Sequence, residues 1–414
     1  MANPAFTVNR ITHSLLARGA VLLALGLFIV ALFGPMVMTV LHNNLGSVAL
    51  NRALLTPDLT EEERVAQALH AGKAFQMALA WDLLNGQAYY NLAAIYDLWA
   101  DPPSAARALA RAAALLPRDA VAQLKHGLAL ADRGQELRAL EAWETAEAAT
   151  YFVARGQALA AQGDHEGALQ QYRRAVTIDP HMAEAYLRLG QALSRLGREE
   201  EALDALASAA AYADQASALP YLQQAEVHVA REEWTAALAA FREAARLSPQ
   251  DPEPHYRRGW VLSEKLGDDE AALACFEEAL ALDPEHKPSR LALGRLHAAR
   301  GECDAAARRL DPLLSQDPND GSVGKLHILL AECLLEQGRT NEALSHLEQA
   351  RSLDPQAPSI LLRLGQGYSQ AGRFQDAIEA YLRVIELAPQ GQEAQEAREA
   401  LEELGWSETT GAQQ

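Results

Sequence analysis

Residues 151–209 read YFVARGQALAAQGDHEGALQQYRRAVTIDPHMAEAYLRLGQALSRLGREEEALDALASA, and this stretch carries one pattern twice. Gly156 returns as Gly190, Gly163 as Gly197, Ala168 as Ala202 and Tyr172 as Leu206, every one of them at i+34. A small residue, a turn residue and a large residue that recur together at this period mark a helical hairpin stacked on its own copy. The chain is rich in Ala, Leu, Arg, Glu and Gln and holds only 8 Phe, which favours helix throughout because unbranched side chains lose little freedom there. The sequence therefore predicts an all-α chain without a sheet.

Working outward, the unit before this pair carries Gly127, Gly134, Ala139, Trp143 and Ala146, but Gly156 follows Gly127 at i+29, five short of the period. Ahead of it stand Tyr89, Leu92, Ala93, Tyr96, Ala105, Leu109, Ala112 and Pro117. Behind the pair, Gly259, Gly294 and Gly365 recur with Phe276, Leu310 and Tyr381, and Pro249, Pro284, Pro318, Pro355 and Pro389 close successive units. Nine units fill residues 86–391. Glycine between the two helices lets them approach and can adopt the left-handed turn, while proline cannot continue a helix interior.

The pattern Tyr186, Leu189, Gly190, Leu193, Gly197, Ala202, Leu206 and Ala209 resembles the tetratricopeptide repeat, and the resemblance covers most of the chain from Gly86 onward. It implies a right-handed superhelical solenoid whose concave face binds a protein or peptide. By the same resemblance the concave positions include Tyr90, Leu124, Val153, Leu187, Leu222, Tyr256, Leu291, Ile328 and Leu362. One turn further on stand Gln157, Gln191, Glu226, Trp260, Arg295, Glu332 and Gln366. Tyr256 and Trp260, read as exposed aromatics, are the expected anchors of a partner; the leucines divide between groove and core. The places of the family's carboxylate clamp hold Leu, Gln and Glu, which argues against a chaperone co-factor of that type.

The flanks read as attachment and closure. After a polar segment, 1–19, residues 20–41 run 22 positions without a charge, a helix of about 33 Å at ~1.5 Å per residue. That is long enough for a hydrocarbon core of ~30 Å, so a single-pass transmembrane helix is expected. A cleaved signal peptide ending at Ser47-Val48-Ala49 is the alternative. Arg10 and Arg18 precede the span and Arg52 follows it, which by the positive-inside rule places the repeats on the extracytoplasmic side of the cell (inner) membrane, with the cytoplasmic side open. Residues 42–58 read as a connector and 59–85 as an N-terminal capping helix starting at the capping box Thr60-Glu61-Glu62-Glu63. Residues 392–404 read as a C-terminal capping helix and 405–414 as a tail.

The net charge is −19, yet residues 1–57 hold three arginines and no acid, which leaves −22 on the remainder. Such a surface repels a polyanion, so nucleic acid is excluded as a partner. No small-molecule substrate, cofactor or metal site is expected and no catalytic constellation stands out. Gly321-Ser322-Val323-Gly324-Lys325 lacks the spacing of a phosphate loop, and no His pair has the spacing of metal ligands. Cys275, Cys303 and Cys333 are an odd, widely spaced set, read as small apolar fillers and not as a disulfide framework. The reading is a non-enzymatic, membrane-anchored scaffold or assembly factor of bacterial type. Its alternative is a non-catalytic subunit of an envelope enzyme complex in glycan or cytochrome assembly.

Overall fold

The computed structural model describes the backbone of residues 4–213, 217–314 and 321–406, with side chains for residue 27 and from residue 31 onward except 321 and 322. Every regular element among these residues is an α-helix. The chain divides into two compact units between Leu196 and Gly197.

In the first unit, α1 (Pro4–Leu55) and α2 (Glu61–Trp81) precede the pairs α3 (Gly86–Leu98) with α4 (Pro102–Leu115), α5 (Ala120–Ala131) with α6 (Glu136–Thr145), and α7 (Ala149–Ala161) with α8 (His165–Ile178), then α9 (Ala183–Arg195). The second unit opens with α10 (Glu199–Tyr212). It continues as α11 (Leu219–Ala230) with α12 (Trp234–Leu247), α13 (Glu253–Leu266) with α14 (Asp269–Leu282), and α15 (Lys287–Ala299) with α16 (Cys303–Leu314). It ends with α17 (Gly321–Glu336) beside α18 (Thr340–Leu353), α19 (Pro358–Gln370) beside α20 (Phe374–Leu387), and α21 (Gln392–Glu403). Within each unit the two members of a pair pack on each other and each pair packs on the next.

The regular hairpins close on a glycine facing a large side chain. A Cβ added to Gly156 would sit 2.5 Å from Tyr172 Cε1, and one added to Gly259 would sit 2.6 Å from Phe276 Cε1. Both rings are buried, each contributing about 1.5–3 kcal/mol of transfer free energy. The turn between the helices needs a left-handed residue, as at Gly163 with φ +83°. Second helices begin on aspartate where the sequence supplies it: Asp164 accepts from the Gly167 N–H and Asp268 from the Ala271 N–H, which satisfies an otherwise orphaned donor. The shortfall in the second repeat, α5 with α6, comes mainly out of α6, which has 10 residues where α8 has 14, and Glu147 turns the chain at φ +49°.

The amino-terminal region departs from the sequence reading. Residues 42–55 are not a connector: α1 continues without a break to Leu55. Nor is α2 a lone cap, because Phe75 packs on Gly46 and both helices share a core of Ala49, Leu50, Ala71, Phe75 and Ala78 with Leu92 and Ile95 of α3. Asn91 also donates to Ser47 Oγ at 3.4 Å. The two helices form a further, longer hairpin. Thr60 caps α2 with the full reciprocal capping box, and its bonds hold the Glu63 carboxyl below the usual range.

Among the described residues no helix is long and apolar enough to cross a membrane. Of the predicted span 20–41, the side chains of 20–26 and 28–30 lie outside the described residues, as do those of segment 1–19 and residues 407–414 of the tail.

Candidate functional site

In the second unit the first helices of three successive pairs, α13, α15 and α17, line a groove of about 470 Å³. Tyr256, Trp260 and Glu264 face it from α13, Leu291 and Arg295 from α15, and Leu329, Glu332 and Glu336 from α17. The rows arise because residues four apart stack along one helix face. Four of the sequence-predicted site residues thus meet in one place: Tyr256, Trp260, Arg295 and Glu332.

The aromatic pair is not freely exposed, contrary to the sequence reading. Tyr256 is half-buried, its ring 5.9 Å from Phe276 and 5.5 Å from His286, and burial raises its phenol pKa. Trp260 packs against the Phe241 and Val261 core, and the Lys265 ammonium lies over its ring at 5.2 Å. The physical reason is the width of both rings: each spans the seam between neighbouring hairpins and presents only part of its surface. Truncating Trp260 would therefore remove core packing as well as groove surface. Glu332 is held by Arg363 at 2.7 Å, and Arg363 also donates to Gln366 at 2.9 Å, which places Gln366 one repeat further on. Among the described residues Arg295, Glu264 and Glu336 have no hydrogen-bond or ion-pair partner.

Gln157 and Gln191 fall in a second, smaller hollow of about 270 Å³ in the first unit, beside Tyr172, Arg188 and Arg195. Its polar groups are already engaged with one another. Gln157 donates to Glu184 at 3.4 Å, and Arg188 bonds Glu184 at 2.7 Å and Gln191 at 3.2 Å. Tyr90 lies apart, half-buried against Ala93 and Leu109, its phenol pushed up by burial and by Asp119. Glu226 accepts from Gln223 at 3.1 Å on α11. Of the apolar concave positions, Val153, Leu187 and Leu362 are core residues, whereas Leu291 reaches the surface.

Sequence reasoning missed Glu264 and Glu336. A signal was present: each stands at i+4 from a named position, Trp260 and Glu332, on the same helix face. It also misread two cysteines. Cys303 and Cys333 form a disulfide with Cα atoms 5.7 Å apart, joining the start of α16 to α17, and Cys333 lines the groove. A search for CxxC spacing cannot find a bridge between neighbouring repeats, which are adjacent in space but 30 residues apart in the chain. Cys275 is free and buried, with Arg258 Nε 3.1 Å from its sulfur.

Known families and proteins carry the same pattern. Profiles described as TPR repeat or tetratricopeptide repeat match residues 156–197, 183–215, 222–287, 265–333 and 334–401. A TPR repeat-containing protein of Treponema pallidum is 27% identical over 270 residues, covering 58% of this chain and 32% of that one. Cellulose synthase operon protein C of Xanthomonas axonopodis pv. citri is 30% identical over 215 residues, 49% of this chain and 14% of its own length. A solved tetratricopeptide repeat protein from Parabacteroides merdae is 19% identical with a TM-score of 0.40, covering 62% of this chain and 98% of that one. The match spans no more than about a third of the Treponema and Xanthomonas relatives.

Proposed function

Since tetratricopeptide repeats occupy most of residues 156–401, we propose that this chain is a non-catalytic scaffold or assembly factor, held at a membrane by α1, that binds a segment of a partner protein in the groove between α13, α15 and α17. The observation that carries this reading is the groove itself: apolar side chains bordered by Glu264, Arg295 and Glu336, three charged groups without an ion-pair partner among the described residues. The mechanism is recruitment, in which one helix fixes location and the array fixes the partner.

The proposed location is the extracytoplasmic face of the cell membrane. The charge-free run 20–41 and the arginines beside it support an anchor with the repeats outside. The Cys303–Cys333 bridge supports the same side, because such bonds persist in oxidising compartments and are rare in the cytoplasm. Since α1 runs unbroken into the first hairpin, the anchor would hold that hairpin directly and not through a flexible tether.

A second reading, a non-catalytic subunit of an envelope glycan-assembly complex, is favoured by the 30% identity with the cellulose synthase operon protein. The test is Leu291→Asp in the full-length protein in its membrane. Leu291 is 36% exposed, so the substitution places a charge on the groove floor, and an unchanged thermal melt of the variant checks that the fold is retained. Proteins recovered with the wild type and lost with the variant are its partners. Recovery of a stoichiometric synthase supports the second reading, and identical recovery from both forms refutes the groove.

A further inference from the structure

The groove is acidic at the two ends of one rim. Glu264 and Glu336 occupy the same position in their helices, on α13 and α17, with Ala299 of α15 between them. Neighbouring helices pack ~8–10 Å apart, which places the two carboxylates roughly 16–20 Å from one another across three helices. Among the described residues neither has an ion-pair partner, whereas Glu332, one turn closer to the floor, is tied to Arg363. The floor, Leu291 and Leu329 with the partly covered edges of Tyr256 and Trp260, is apolar.

Resting on the groove reading above, we propose that the occupant is a cationic amphipathic segment of a partner protein: basic side chains at its two ends meet Glu264 and Glu336, and bulky apolar side chains between them enter the floor. Charge complementarity carries this choice. The chain beyond residue 57 has a net charge of −22, so a basic partner is steered toward it, and two unpaired carboxylates mark where the segment is held in register. Arg295, unpaired in the middle row, offers its guanidinium donors to main-chain carbonyls of the segment, which fits any sequence with those ends.

The experiment titrates the full chain in detergent with three labelled twelve-residue peptides on a Gly/Ser background. The first has lysines near both ends and leucines in the middle; the second replaces the lysines with glutamate; the third replaces the leucines with serine. The expected result is that the Lys/Leu peptide binds best, that salt weakens it, and that Glu264→Gln with Glu336→Gln costs about tenfold in affinity. Removing two exposed acids on second helices, Glu270→Gln with Glu379→Gln, changes it by less than about twofold, since those carboxylates lie off the groove. If the Glu/Leu peptide binds as tightly as the Lys/Leu peptide and both are lost in Leu291→Asp, the cationic assignment is overturned while the groove stands. If Leu291→Asp affects none of the peptides, the groove reading itself is overturned.

Discussion

Two stretches of this molecule are built from the same hairpin and differ in what they leave open. In 149–195 the repeats are regular, and the polar side chains of the concave face, Gln157, Glu184, Arg188 and Gln191, satisfy one another. In 253–336 the pattern is looser. Its concave face has a wider floor, carboxylates at Glu264 and Glu336 without partners among the described residues, and a covalent bridge beneath one wall. Regularity identifies the fold because identical packing needs identical residues. The groove of the proposed function lies where packing leaves charged groups without partners among the described residues, and there the unit lengths depart from 34 residues.

The bridge separates the two stretches most sharply. Cys303→Ser removes a 30-residue closure whose loss costs about 3.5 kcal/mol on the chain-entropy account. Hydrogen exchange should speed up across α15–α18 and stay unchanged across α7–α9; equal acceleration in both would contradict a local brace. Next in size come the interhelical glycines. Gly156→Leu and Gly259→Leu each drive a side chain into a buried ring and should cost about 3 kcal/mol, one in each stretch. Equal thermal destabilisation would show that both stretches rest on the same packing, despite their different surfaces. A null effect at either glycine would refute the register.

A smaller effect concerns protons. His327 and His346 place their Nδ1 atoms 3.0 Å apart between α17 and α18, and burial holds both imidazoles below the usual histidine value, with Asp311 and Glu342 opposing. A depressed folded value means that the fold keeps these rings neutral while the unfolded chain takes up protons. Their contribution is present above the ordinary imidazole value of about 6.5 and is lost as pH falls below it. Exchange protection of α17–α18 should drop between about pH 7 and pH 5, and His327→Gln with His346→Gln should flatten that dependence.

The hairpins were legible because their logic is local: glycine opposite a ring, a glycine turn, a proline close. The same logic hid the first hairpin, since Gly46 meets Phe75 at i+29 where Gly156 meets Tyr172 at i+16, and lengthened helices disguise the period. Tyr256, Trp260, Arg295 and Glu332 were reachable by counting from the interhelical glycine. The partial burial of the aromatics was not, because it depends on contacts from α12, α14 and the loop before α15. The bridge was illegible for a related reason: it joins residues brought together only by stacking.

The most direct measurement places a photoreactive amino acid at residue 295 or at residue 191, equivalent positions in the two stretches, in cells that make the full chain. Position 295 should crosslink to a partner protein through a basic segment, and position 191 should give little or no crosslink. Crosslinking of equal yield at both, or from 191 alone, would contradict a groove specialised in the second stretch.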